Sequence, residues 1–297
     1  MGIVKPKHKT LGIMLTDIFL GFCLLFIIVV CIYPFWHVIM YSVSDSSAAM
    51  SGGVFLLPRG FSLESYSMLF GTSRIFNAMW NSIRKTVIGT SLAMIVTVLT
   101  AYPLSRKDLK GKQFILLFIY FTMLFSGGMI PSYILMKNLG LLNTFWVYVL
   151  PGAMSAYNMF IIKNFFESIP ASLSESATLD GASPLQILWW IMLPLSKAAL
   201  ATITLYYVIG FWNSYLDGVL YVTSIRLELL QVYVRMLISL AGSIMAVGEV
   251  GNLSGRKITE DSIKITVIAI SVIPVIVFYL FLQKYFQKGV TVGAVKG

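Results

Sequence analysis

The sequence predicts an all-α, polytopic membrane protein with six transmembrane helices. Three observations carry this. Of the 297 residues, 58% are hydrophobic, and the mean hydropathy is +0.84. Only 11% are charged, against about 25% in a soluble globular chain, so there is too little polar surface to cover the molecule in water. Apolar stretches long enough to cross a hydrocarbon layer about 30 Å thick also recur along the chain, with no long polar linker between them. Residues 1–297 therefore read as one membrane domain.

The first span is expected at about 12–40. Its basic start (Lys5, Lys7, Lys9) followed by an apolar run resembles a signal peptide. The run from Ile18 to Met40 is too long for that and reads as an uncleaved first helix. Cys23 and Cys31 lie on this helix about 12 Å apart at 1.5 Å per residue. That is too far for a disulfide, so they read as packing thiols. The second span is placed at 82–104, ending at Pro103, and the third at 113–136, broken near Gly127, Gly128 and Pro131. The fourth is placed at 143–166 with Pro151 inside it, the fifth at 197–219 and the sixth at 263–286.

Orientation follows from loop charge. The basic loop Arg106–Lys112, the N-terminal lysines and the tail lysines Lys284, Lys288 and Lys296 place both termini in the cytoplasm. The tail covers 287–297. Arg84 and Lys85 run against this rule, because they sit near the outer end of span two. They either snorkel to the headgroups, the simpler reading, or face a wet cavity. Segments 41–75 and 220–262 are then extracytoplasmic. The first reads as an ordered loop with short pieces of structure. In the second, the apolar piece Met236–Val247 is too short to span and reads as an interfacial or buried helix.

The net charge of +10 sits mainly in loops, where it orients the chain and meets anionic lipid. No basic stripe or base-stacking module points to nucleic acid. His8 and His37 are isolated, and no metal or catalytic cluster is legible. A membrane enzyme would need a nucleophile–base pair or paired carboxylates at membrane depth, and a secondary transporter would need intramembrane carboxylates. The spans offer no such pair and contain few carboxylates.

Residues 167–196 form the most patterned stretch. Ser172 followed by Glu175 fits a capping box, and Ser183-Pro184 followed by Gln186 fits a second, with Pro at a first helical position. Gly181 between them suits a left-handed helix end, and Pro194 is expected to close the second helix. Two short helices joined by a sharp bend result. Glu175 reads both as a cap and as a docking residue. Asp180 reads either as a turn former bonding backbone near Gly181 or as a contact. Trp189 and Trp190 read as packing.

The pattern Glu175-Ser-Ala177-x-x-Asp180-Gly181-Ala182, then Ile191-x-Leu193-Pro194, resembles the EAA loop of binding-protein-dependent ABC importers. Nine residues separate Gly181 from Ile191, as in that family. Trp80-Asn81-Ser82, Ile130-Pro131, Phe211-Trp212-Asn213 and the C-terminal stretch from Lys284 resemble its carbohydrate-uptake branch, of the maltose-permease type. The resemblance implies a type I importer permease fold with cytoplasmic coupling helices, in the plasma membrane of a prokaryote. It also implies a second similar permease, two ABC ATPase subunits and an external solute-binding protein as partners. The ATPases would use ATP and Mg; this chain would bind no cofactor and carry no catalytic site. A phosphate-binding Gly-x-x-x-x-Gly-Lys-Ser/Thr loop is absent from the sequence. The ATPase-coupling residues implied are Glu175, Ala177, Asp180, Gly181, Ala182, Ile191, Leu193 and Pro194. The implied cargo is an oligosaccharide released from a polysaccharide, and an amino acid, phosphate or opine is the alternative. Asn213, Tyr215 and Asp217 are candidates to line its path, with a helix–helix hydrogen bond the rival role for Asn213. Asn158 and Lys163 read as packing and headgroup anchoring.

Overall fold

A computed structural model describes residues 11–54, 56–247 and 259–294, and His8, Lys296 and most of the 248–262 stretch lie outside them. The described residues are helical with no strand; one isolated antiparallel bridge joins Ser44 and Phe61. Fourteen α-segments follow in order: α1 Leu11–Ser42, α2 Ser46–Met50, α3 Glu64–Phe70, α4 Ser73–Ser105, α5 Lys112–Leu124, α6 Met129–Asn138, α7 Ala156–Ser168, α8 Ala171–Leu179, α9 Pro184–Ile187, α10 Leu193–Leu195, α11 Lys197–Asn213, α12 Leu216–Tyr221, α13 Leu230–Val247 and α14 Glu260–Ala294. They fall into two units, residues to 71 with 244–270, and 72–243 with 271 onward.

In the first unit, α1 exposes nearly every apolar side chain it carries, as a lipid-facing helix does. Cys23 is half-buried and Cys31 exposed, so the expectation of packed thiols fails for Cys31. The segment after α1 is ordered, as expected for 41–75. Asp45 caps α2 by accepting from the amides of Ser47 and Ala48, and Ser62 N–H donates to Val43 O.

The second unit is built on α4. Ser82, Thr86, Gly89, Ala93, Thr97 and Ala101 recur every three or four residues and are all buried, forming a small-residue seam that lets neighbouring helices approach closely. Phe211 of α11 lies on Gly89, where an added Cβ would stand 2.7 Å from the ring. Tyr207 bonds Thr97 (2.7 Å) through its hydroxyl, which also accepts from Ser155 N (3.0 Å) at the start of α7. The core around this seam unites α4, α7 and α11 through Val98, Met159, Ile162, Phe166 and Ile203.

Three helices are long and apolar enough to cross a membrane, within α1, α4 and α14, and two bent pairs bring the number to five. The six continuous spans expected are not seen. The third is broken as expected, with α5 and α6 bent by 114° around Gly128, whose φ is +85°. The fourth is not one helix. A 3-10 turn covers Phe145–Tyr148, and the chain is irregular through Pro151 until α7. Pro151 donates no N–H and pushes the residue before it out of helical geometry. The fifth ends at Asn213, with α12 a separate turn. The second starts at Ser73, nine residues earlier than expected, and passes through Pro103 to Ser105. The sixth continues to Ala294, into the stretch expected to be tail. The helix expected at 236–247 begins at Leu230.

Candidate functional site

The coupling segment folds as two short helices and a bend. In α8 the expected Ser172–Glu175 capping box is not formed. Pro170 holds the N-cap position, so the helix starts before Ser172, and Glu175 lies exposed in its body. The second box is formed. The Gln186 amide donates to Ser183 Oγ (3.4 Å), and the Ser183 amide donates to Gln186 Oε1 (2.7 Å), with Pro184 in the first turn.

Between the helices the Gly181 amide donates to Thr178 O (3.0 Å) and the Ala182 amide to Ala177 O (2.9 Å). These two bonds across a glycine with φ +83° make a Schellman helix end. Ala177 and Ala182, brought together by that bond, both pack on the core. Asp180 is exposed at the helix end and its carboxylate makes no hydrogen bond among the described residues, so the expected backbone-bonding role is not seen.

Beyond α9 the chain widens into a π-turn, Leu188–Met192, where Leu193 N donates to Leu188 O. A wide turn accommodates Pro194, which lacks an N–H and would press its ring on the carbonyl four residues back. Pro194 therefore does not end the helix, as expected, but sits within α10; the break comes at Ser196, and α11 leaves at 85°.

The two sides of this elbow differ. Ile187, Leu188 and Met192 are buried in the same core as α4, α7 and α11, with Ile191 and Leu193 packed against it. Glu175, Asp180, Gly181 and Pro194 are exposed. So are Leu179 (89%), Trp189 (62%) and Trp190 (79%), which corrects the reading of the two tryptophans as packing residues. Asp180, Gly181, Gln186 and Trp190 border a hollow of about 330 Å³. Glu175, Thr178 and Leu179 of α8 border a separate open cleft of about 850 Å³ with the 105–108 loop.

Ion pairs line that cleft. Glu167 accepts from Lys112 (2.8 Å) and Lys163 (2.7 Å). Burial works to raise the Glu167 pKa, but the hydrogen bonds and charges of the two lysines outweigh it and hold the carboxyl below its ordinary range. Lys163 is thus buried and paired, which corrects its reading as a headgroup anchor. Asn158 is buried, as a packing residue should be. Arg106 holds Asp108 by a hydrogen bond at 3.1 Å and lowers its pKa.

A second polar group gathers near the N-terminal half of α4. Lys85 is 1% exposed and does not snorkel. Its Nζ donates to Ser214 O (2.9 Å), at the end of α11, and pairs with Asp217 (3.3 Å). Asp217 also accepts from Ser214 Oγ (2.5 Å). Arg84 lies exposed over the Phe145 ring, 4.8 Å from its centroid. Tyr215 is exposed beneath Arg235, and Asn213 is exposed at the end of α11. Asn213 thus does not show the helix–helix bond considered for it. Sequence reasoning missed the partners that fix this region. Arg74 grips Glu228 with two nitrogens (2.7 and 2.8 Å), and Asn81 donates to Arg226 O and Glu228 O. Ser82 Oγ accepts from Leu230 N (2.8 Å). The available signal was that Arg74, Asn81, Ser82 and Lys85 share one face of α4 at helical spacing.

Apolar helices long enough to cross a membrane, with a helical elbow packed on their core, fit a multi-pass permease subunit, and the comparisons agree. Residues 89–292 match the family described as binding-protein-dependent transport system inner membrane component, and the chain belongs to that family. It is a permease subunit of an importer, with type I importer permease fold, and not itself an enzyme. It is similar to the polygalacturonan/rhamnogalacturonan transport system permease protein YtcP of Bacillus subtilis, 42% identical across 93% of this chain and 96% of that one. Protein LplC of the same organism is 39% identical across 90% of each chain. A chain in the crystal structure of a bacterial ABC transporter involved in the import of the acidic polysaccharide alginate matches with a TM-score of 0.81. It is 33% identical, over 95% of this chain and all of that one.

Proposed function

We propose that this permease moves an oligosaccharide inward across the cytoplasmic membrane by alternating access, driven through the 171–195 elbow by cytoplasmic ATPases. The observation that carries the coupling half is the elbow's division: an exposed face of Glu175, Asp180, Gly181 and Pro194 over a base of Ala177, Ala182, Ile191 and Leu193 packed on the transmembrane core. A groove on an ATPase would grip the exposed face, and the packed base would pass its movement to α4, α7 and α11. The oligosaccharide half is supported by the relatives named for polygalacturonan and alginate.

In this reading the elbow and both termini are cytoplasmic, and the Lys85–Asp217 end faces outward. A second permease completes the pore, two ABC ATPases hold ATP and Mg, and a solute-binding protein delivers the cargo. Asn213, Tyr215 and Asp217 lie on its path.

The test is transport-coupled ATP turnover of the assembled complex in liposomes with a panel of oligosaccharides, amino acids and phosphate. Stimulation by an oligosaccharide, lost in Gly181→Val and Glu175→Lys, is expected. Stimulation by an amino acid alone would replace the cargo assignment. Unchanged assembly and turnover in both variants would remove the coupling role.

A further inference from the structure

In the first unit, the loop after α1 and α2 folds back along α1. Its returning arm is pinned where α1 stops: the Arg59 amide donates to Ser44 Oγ (3.1 Å), and Ser44 bridges Phe61. The Arg59 guanidinium closes the loop by donating to Gly52 O (2.6 Å). Gly52 and Gly53, with φ of +82° and +83°, turn the chain, and Val54 is buried. The tip then reaches Trp36, whose Nε1 donates to Leu56 O at 2.9 Å. Trp36 precedes the end of α1 at Ser42 by about 9 Å at 1.5 Å per residue, and helical side chains tilt further toward the N-terminus. The tip therefore hangs beside the membrane helix, below its end.

The depth of that point follows from α1 itself. Its run from Met14 to Trp36, where exposed apolar side chains predominate, is about 33 Å long. This matches a hydrocarbon thickness of about 30 Å. Trp36 thus falls at a membrane interface, where tryptophan is enriched.

We infer that the loop tip is a membrane anchor, with Leu56, Leu57 and Phe61 dipping into the lipid leaflet that meets the C-terminal end of α1. The three side chains are 66%, 75% and 72% exposed, and they continue the lipid-facing surface of α1. From Ser46 to Pro58 the sequence has no charged residue. The Trp36 N–H and the Leu56 carbonyl satisfy one another, as polar groups must where water is scarce. Arg59, the first charge after the tip, is tied back to Gly52 at the shallower end. A face built to dock a soluble protein would carry a polar rim; this tip continues instead into a lipid-facing helix. The anchor is independent of the cargo and of the coupling role proposed above.

The test is spin-label accessibility in the assembled transporter in liposomes, with Cys23→Ser and Cys31→Ser as background. Labels at Leu57→Cys and, beside Asp45, at Ser47→Cys are compared for collision with oxygen, which concentrates in lipid, and with a water-soluble nickel chelate. The oxygen-to-nickel ratio at Leu57 is expected to exceed that at Ser47 by at least about threefold, with the label about 5–10 Å into the headgroup and acyl boundary. Labels at Leu56→Cys and Phe61→Cys should agree, and they stand in if Leu57→Cys fails to assemble. Equal nickel access at tip and reference would put the tip in water and overturn the inference. Tip labels closed to both reagents would also overturn it, and would assign the tip to a second permease. Closure only on addition of a solute-binding protein would overturn it in favour of that protein.

Discussion

The amide of Ala182 donates to the carbonyl of Ala177 at 2.9 Å, and both methyl groups rest on the core shared by α4, α7 and α11. This one bond closes the bend at Gly181 and seats the elbow on the transmembrane helices. Alanine suits both positions, because each is partly buried where the bend meets that core.

The two capping motifs should respond differently to removal of their hydroxyls. Ser183→Ala removes an acceptor that holds the Gln186 amide and should cost about 1 kcal/mol. Ser172→Ala, inside α8, should be within about 0.5 kcal/mol of the parent. Denaturation of the purified complex in detergent measures both.

Gly89 and Phe211 form a close approach on the α4 seam. A Cβ at Gly89 would lie 2.7 Å from the ring, so Gly89→Ala should destabilise by about 1–3 kcal/mol. Gly89→Ala with Phe211→Leu should recover part of the loss, because the two sites touch. A thermal-melt double-mutant cycle would show the coupling; simple additivity would contradict this packing.

Glu167 makes an acid-side prediction. Its pKa is lowered in the folded protein, so its contribution is present above its unfolded value, near 4.3. It is lost as pH falls from there through the lower folded value. Glu167→Gln should flatten the stability profile in that window and leave the profile's shape at neutral pH unaltered. A pH series of melting temperatures for both proteins checks the sign.

What was legible depended on how local the cause was. Ser183, Pro184, Gln186 and Gly181 act within a few residues, and the chain formed what their order implied. Ser172 misled because Pro170, two residues earlier, started the helix first. The fourth span misled because hydropathy counts apolar residues without asking whether Pro151 lets them be helical. Lys85, Arg74 and Lys163 could not be read locally. Their partners Asp217 and Glu228 lie 132 and 154 residues from Lys85 and Arg74, and only the fold shows that Glu167, one turn from Lys163, also holds Lys112. The exposed tryptophans illustrate the opposite limit: an apolar side chain reads as packing, but which face of the helix is covered depends on where Ile187, Leu188 and Met192 seat.

The most direct test of the elbow as a rigid lever is a distance between spin labels at Leu179 and Ser168 in the assembled transporter. The two sites are exposed, on α8 and at the end of α7. If the elbow moves as one body with the core, the distance should stay narrow and shift by no more than about 2 Å between the nucleotide-free and ATP-trapped states. A shift of roughly 5 Å or more, or a distribution that splits in two, would mean that the elbow hinges on the core and would contradict the account.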